Sequence, residues 1–451
     1  MFDFLWNLSS FIVALGILIT VHEYGHFWVA RKNGVRVERF SIGFGKAIWR
    51  KKGKQGTEFV LALIPLGGYV KMLDERVDEV SEEDKPYTFN GKNVYQRIAI
   101  IAAGPLANFI FAIFAFYLMF LLGMPSVKPI IGNIEPHSIA AQSQLTPHSE
   151  IIKIEGQSTL DWADVNLMLA SKIGEPKLTI TVKENGSVSP RQYVLKTAEW
   201  KFQPDKQSAF ESLGIKPFQA TPLNELALIG KDSPAEKYGL KVGDKFVAIN
   251  GKTERNDWQY FSDEIKKYPN QEVVIEVARN NTVENITIVP ASIERGGKSI
   301  GYLGVAPKSE PYPEQYRIEI AYGPIEAIGK SLEKTWSLIS LSFDMIGKLI
   351  TGDVSVKNLS GPIGIAQGAG DHAGYGFVYF LGFLALISIN LGIINILPVP
   401  VLDGGHLVYY LIELLTGKPV PEKIQVIGFK FGTLALLGLM SIAIFNDFSR
   451  L

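Results

Sequence analysis

A membrane-length apolar run ending in a metal-binding pattern constrains this chain more than any other feature. Phe4 to Val21 is 18 residues without a charge, about 27 Å of helix at ~1.5 Å per residue, enough to cross the hydrocarbon core of a bilayer. The run leads straight into His22-Glu23-Tyr24-Gly25-His26. On a helix, His22 and His26 share one face, where both imidazoles reach the same metal ion. Glu23 is then placed to act as the base that activates water. Ionisable residues at membrane depth are costly, which makes these three functional candidates. No basic stretch precedes the run, and cleavage after it would discard the motif. It therefore reads as a retained transmembrane helix, and a signal peptide is not expected.

Arg31, Lys32, Arg36, Arg39, Lys46, Arg50, Lys51, Lys52 and Lys54 follow, against Glu38 alone. By the positive-inside rule this segment is cytoplasmic and the N-terminus lies outside. Within residues 57–72, two β-prone runs flank Pro65-Leu66-Gly67-Gly68, a hairpin signal. Two readings stay open. One is a small cytoplasmic hairpin; the other is an apolar hairpin dipping toward the membrane, whose edge at Gly67 and Gly68 pairs with an extended substrate. Ile98 to Leu122 is a second apolar run, interrupted by Gly104-Pro105-Leu106-Ala107-Asn108. Its small residues suit close helix approach, and Asn108 needs a buried partner.

The polar middle contains a repeat at an offset of 95: Ser138, Ala140, Leu145, Ile154 and Gly156 fall on Ser233, Ala235, Leu240, Ile249 and Gly251. A unit of that length fits two tandem globular domains better than a solenoid. The pattern resembles PDZ domains, with Leu240-Lys241-Val242-Gly243-Asp244 nearest the signature; the first copy has Leu145-Thr146-Pro147-His148-Ser149 and lacks the glycine. Beyond them, Ile325, Ile328, Leu332, Trp336, Ile339, Phe343, Ile346 and Leu349 recur at steps of three and four, as on an amphipathic helix. That helix could lie in the membrane interface or pack under the soluble domains.

Phe377 to Leu397 is the third span and Ile424 to Phe445 the fourth. The third carries Asn390 and Asn395, then Pro398-Val399-Pro400-Val401-Leu402-Asp403-Gly404-Gly405-His406, where the prolines break the helix. Counting crossings puts the ends of spans one and three on the same side, so Asp403 can share a metal with His22 and His26. The expected divisions are a membrane half over 1–126, PDZ-like domains over 127–221 and 222–309, a linker with the amphipathic helix over 310–372, and a second membrane half over 373–451. The fold class is a four-span α-helical membrane protein with two PDZ-like α+β domains between spans two and three.

The chain has no cysteine, so a thiolate zinc site and a disulfide framework are excluded. Formal net charge is zero, and no nucleic-acid partner is expected. A catalytic zinc keeps three protein ligands and one open position. His22 and His26 supply two; Asp403 is the choice for the third, with His406 its rival. His137, His148 and His372 read as ordinary surface residues. A scissile segment must be extended, because a helix hides its carbonyls, and Asn390, Asn395 and the Pro398/Pro400 backbone are candidates to hold one.

These residues resemble the site-2 protease family of intramembrane zinc metalloproteases. The carriers are His22-Glu23-Tyr24-Gly25-His26 on span one and Leu402-Asp403-Gly404 after span three, joined by Ser41-Ile42-Gly43-Phe44-Gly45, the PDZ pair and residues 390–400. The resemblance implies that His22, His26 and Asp403 bind one zinc ion and that Glu23 is the catalytic acid/base. It further implies a bacterial inner membrane protein with both termini and the PDZ domains periplasmic and the active site near the cytoplasmic side. The implied substrates are single-span membrane proteins: an anti-sigma factor already trimmed outside, feeding an envelope stress response, and remnant signal peptides. The PDZ pair would act as a size filter. Two rival classes predict otherwise. A silent membrane scaffold presenting PDZ domains would tolerate loss of Glu23. A zinc-carrying transporter would need a polar path through several spans and inverted repeats, and neither is visible.

Overall fold

The computed structural model describes residues 2–450 except 78, 188, 203–206, 253–256, 281, 296–297, 353, 355 and 357–358. The helices are α1 (Phe2–Lys32), α2 (Val94–Leu122), α3 (Ile139–Gln142), α4 (Trp162–Ser171), α5 (Ala209–Ser212), α6 (Pro234–Lys237), α7 (Trp258–Ile265), α8 (Pro324–Thr351), α9 (Pro362–Tyr375), α10 (Phe377–Ile396), α11 (Asp403–Thr416) and α12 (Glu422–Arg450). Among the described residues α1, α2, α10 and α12 are long and apolar enough to cross a membrane. They coincide with the four apolar runs of the sequence. The inner three pack through Ala112, Phe116, Leu381 and Ile389 on one side and through Leu18, Phe383 and Leu384 on the other.

The segment between α1 and α2 departs from the expected hairpin. Strands Val37–Lys52 and Glu58–Met72 pair, but the two runs flanking Pro65 to Gly68 do not pair with each other. Residues 39–42 lie between them: Arg39, Phe40, Ser41 and Ile42 match Glu58, Phe59, Val60 and Leu61 on one edge and Lys71, Val70, Tyr69 and Gly68 on the other. Phe27 of α1 packs on Phe40 and Phe59, anchoring this sheet to the first span. A local turn signal identifies the bend correctly yet cannot reveal a strand inserted from earlier in the chain.

The polar middle is β-rich. Residues 217–317 form a compact unit of their own, with a five-stranded sheet built from Pro222–Ile229, Lys245–Ile249, Val273–Arg279, Thr282–Ile288 and Val305–Ser309. The segment before it carries a four-stranded sheet, Gln157–Ser158, Glu150–Ile154, Lys177–Lys183 and Arg191–Lys196. Residues separated by 95 hold equivalent places. Ser138 and Ser233 cap α3 and α6, and Ala140 and Ala235 are fully buried behind them. Positive φ recurs at His137 and Asp232, Gln144 and Gly239, His148 and Gly243, and Glu155 and Asn250. His148 thus adopts, at some conformational cost, the turn that Gly243 adopts freely.

Helix α8 turns its small residues inward: Ala327, Ser331 and Thr335 are buried, while Ile325, Ile328, Leu332 and Trp336 are exposed. Lys334 reaches Asp164 of α4, and Lys348 Nζ donates to the Ile173 carbonyl at 2.5 Å just past that helix's C-terminus. Helix α9 was not evident in the sequence, because four glycines in 14 residues obscure its period. Its N-terminus is held by Asp447 of α12, whose carboxylate accepts from the backbone N–H of Gly361, Ile363 and Gly364.

Candidate metal centre

The helical spacing in α1 does what it predicts: the His22 and His26 rings meet edge-on with centroids 4.9 Å apart. Neither ring is left to choose its own orientation. His26 Nδ1 lies 2.8 Å from the Ile100 carbonyl of α2, which can only accept, so Nδ1 carries the proton and Nε2 the free lone pair. His22 Nδ1 lies 3.0 Å from Nδ2 of the fully buried Asn108 amide, whose Oδ1 has no hydrogen-bond partner among the described residues. An Asn108 amide turned to present Oδ1 accepts from His22 Nδ1–H and leaves that Nε2 free as well.

Asp403 is the first residue of α11 and brings the third donor. Its Oδ2 lies 3.2 Å from His22 Nε2 and 3.3 Å from His26 Nε2, and the two Nε2 atoms are 3.3 Å apart. Ligands about 2.0–2.1 Å from a tetrahedral zinc ion are roughly 3.3–3.4 Å from one another. The donor set and spacing therefore fit zinc with one position open. Among the described residues this trio is the sole group of at least three His, Asp or Glu gathered closely enough for a metal. His406, the rival third ligand, lies outside it.

Two close approaches make the cluster possible. A Cβ on Gly104 would sit 2.2 Å from His26 Nε2, so only glycine lets α2 pass the ligand rings. A Cβ on Gly404 would sit 2.1 Å from the Ile396 carbonyl, so the residue after Asp403 must also lack a side chain. Helix α11 is then tied to α2 by Arg97 Nη2, 2.7 Å from Glu413 Oε1, with the guanidinium 4.9 Å above the Tyr410 ring. The Ile100 carbonyl, Arg97 and Glu413 were not singled out from sequence, whereas Gly104 belongs to the stretch whose small residues suit close helix approach. Backbone acceptors and inter-helix pairs carry no local signal.

Glu23 is buried on the helix face beside the ligands. The structure brings Gly68 against it, since a Cβ there would touch Glu23 Cγ at 3.0 Å and the Ser41 carbonyl at 2.7 Å. Gly67 is covered by the Phe44 ring. The remaining predicted residues are not gathered at the cluster. Asn390 Oδ1 accepts from Ser342 of α8 at 3.3 Å. Pro400 packs against Gly428 and Gly432 of α12, while Asn395 is half-buried and Pro398 exposed near the end of α10.

Membrane-spanning helices converging on two histidines and an aspartate define a class, the membrane-embedded zinc metallopeptidases. The profile of Peptidase family M50 matches residues 10–439. Over 451 residues, all of both chains, this protein is 51% identical to the Regulator of sigma E protease of Salmonella typhi and to the Regulator of sigma-E protease RseP of Escherichia coli (strain K12). It is 49% identical over 453 residues, again all of both chains, to a Putative zinc metalloprotease of Vibrio cholerae serotype O1. The chain belongs to peptidase family M50, the site-2 proteases.

Proposed function

We propose that His22, His26 and Asp403 hold the zinc ion of this protease and that Glu23 is its general base and acid. The observation that carries the reading is the near-equilateral spacing of the three donor atoms, 3.2–3.3 Å. Zinc, when bound, supplies an activated water and polarises the scissile carbonyl. The Glu23 carboxylate takes the proton from that water and returns it to the leaving amine, so no proton has to come from the bilayer. His26 and His22 keep Nε2 toward the centre because Ile100 and Asn108 occupy their Nδ1 atoms.

The substrate is a single-span membrane protein whose scissile stretch is unwound. It adds as a strand along residues 68–72, which Gly68 brings close to Glu23, with Gly67 beneath the Phe44 ring next to it. Asn390, Asn395, Pro398 and Pro400 are its contacts on the side of α10. The Salmonella typhi and Escherichia coli relatives are named as regulators of sigma E. That supports an anti-sigma factor, trimmed beforehand outside the membrane, as the substrate, with remnant signal peptides as a second group. The two soluble domains, read as PDZ-like, face the periplasm with both termini and act as a size filter.

Cleavage of a trimmed single-span substrate by the purified protein in detergent tests this, with zinc content measured on each variant. Glu23→Gln is expected to keep zinc and lose cleavage by at least a hundredfold; Asp403→Ala is expected to lose both. Cleavage by Glu23→Gln at the wild-type rate would sink the assignment of Glu23 as base and acid.

A further inference from the structure

Two cavities meet at the C-terminal end of the first span, and together they have the shape of an amphiphile. The first is an apolar groove of about 690 Å³ between α1 and α2, lined by Tyr24, Trp28, Ala102, Leu106 and Ile110 among others. It lies on the side of α1 where Gly25 abuts the Ala103 carbonyl. The second, about 510 Å³, is lined by Trp28, Arg31, Lys32, Arg36 and Tyr87. Trp28 is common to both and is half exposed.

The charge in the second cavity is unbalanced. Arg36 is ion-paired with Asp84 at 2.6 Å. Among the described residues, Arg31 and Lys32 have no carboxylate within ion-pair distance. Each instead lies over an aromatic ring, Arg31 5.3 Å above Phe27 and Lys32 5.7 Å above Trp28. The apolar groove runs along two membrane-spanning helices, at the depth of acyl chains. Arg31 and Lys32 are the last two residues of the first span, the position at which headgroups meet a spanning helix.

We propose that this double cavity is a binding site for one anionic phospholipid, an acyl chain lying between α1 and α2 and the phosphate on Arg31 and Lys32. Charge complementarity selects the occupant. A zwitterionic headgroup would bring its own ammonium against two cations, and a free phosphate would leave the groove unfilled. The site is separate from the substrate edge at Gly68 and does not depend on the assignment of catalytic roles.

The test is native mass spectrometry of the full-length protein in detergent, titrated with palmitoyl-oleoyl phosphatidylglycerol, with phosphatidylcholine of the same chains, and with inorganic phosphate. One phosphatidylglycerol should be retained, at least tenfold more tightly than phosphatidylcholine. Arg31→Gln with Lys32→Gln should weaken it by roughly fivefold for each charge removed. Ala102→Phe, which fills the groove, should weaken both lipids. Equal retention of the two lipids, undiminished retention by the double glutamine variant, or displacement by inorganic phosphate would each overturn the proposal. Should the phenylalanine variant fail to fold, the glutamine pair, at the end of α1, decides the matter alone.

Discussion

Asn108 illustrates how much of a metal site lies in what its ligands touch. A histidine ligand has two ring nitrogens, and a partner on one fixes the lone pair on the other. For His26 that partner is a backbone carbonyl, which mutation cannot remove. For His22 it is the Asn108 side chain, 3.0 Å away and fully buried. Asn108→Ala is therefore expected to lower zinc affinity by roughly 10–100-fold in a chelator competition, with unfolding temperature little changed when zinc is saturating. Unchanged affinity would show that His22 is oriented without it. The sequence marked Asn108 only as a polar residue in need of a partner, whereas His22 and His26 were legible at once. The difference is physical: ligands one helical turn apart leave a local pattern, while a partner 86 positions away leaves none.

Helix α11 carries Asp403 to the cluster, and a partly buried ion pair ties it to α2 beside the apolar packing of Tyr410 with Ile100. Arg97 and Glu413 are 15% and 18% exposed, so removing either leaves a poorly hydrated charge behind. Arg97→Ala should cost about 1–3 kcal/mol in thermal unfolding and speed zinc loss to a chelator. Destabilisation without faster zinc loss would mean that the pair braces the helix but not the ligand. In the separate unit, Asp244 accepts from Arg279 Nε and Nη2 at 2.8 and 2.7 Å and from the Lys241 N–H at 2.8 Å. Burial opposes its ionisation, but hydrogen bonding to Arg279, then to Lys241, outweighs that and holds the carboxyl below its ordinary value of 3.8. A depressed carboxylate stabilises the fold fully above the unfolded value and stops doing so as pH falls through the folded one. Backbone hydrogen exchange in residues 217–317 should thus be faster in Asp244→Asn than in wild type at neutral pH, by the equivalent of about 1–3 kcal/mol. The gap should close on acidification below the ordinary carboxylate range; a gap independent of pH would rule the linkage out. The spans were readable because apolar runs are local. Helix α9 and the strand inserted within 58–72 were not, because only tertiary packing specifies them.

At the scale of the whole chain, the meeting of His22, His26 and Asp403 fixes the topology. Helix α1 reaches the cluster at its C-terminal end, and Asp403 follows the C-terminal end of α10. With donor atoms 3.2 Å apart, both ends must lie at the same depth, so α1 and α10 cross in the same direction and α2 crosses in the other. The chain leaving α2 and the chain entering α10 then lie on the face opposite residues 33–93, whichever way the protein is inserted. By the positive-inside rule the nine lysines and arginines between residues 31 and 54 predict the sign: that loop inside and the β-rich middle outside. The absence of cysteine makes the test clean, since any thiol introduced is the only one. A cysteine in place of Lys54 should react with a membrane-impermeant maleimide only after the inner membrane is opened. One in place of Thr282 should react in intact spheroplasts. The reverse pattern would invert the orientation while leaving the parity intact. Labelling of both positions from one side would be more damaging: α1 and α10 could not then end together, and Asp403 could not share an ion with His22 and His26 in the membrane.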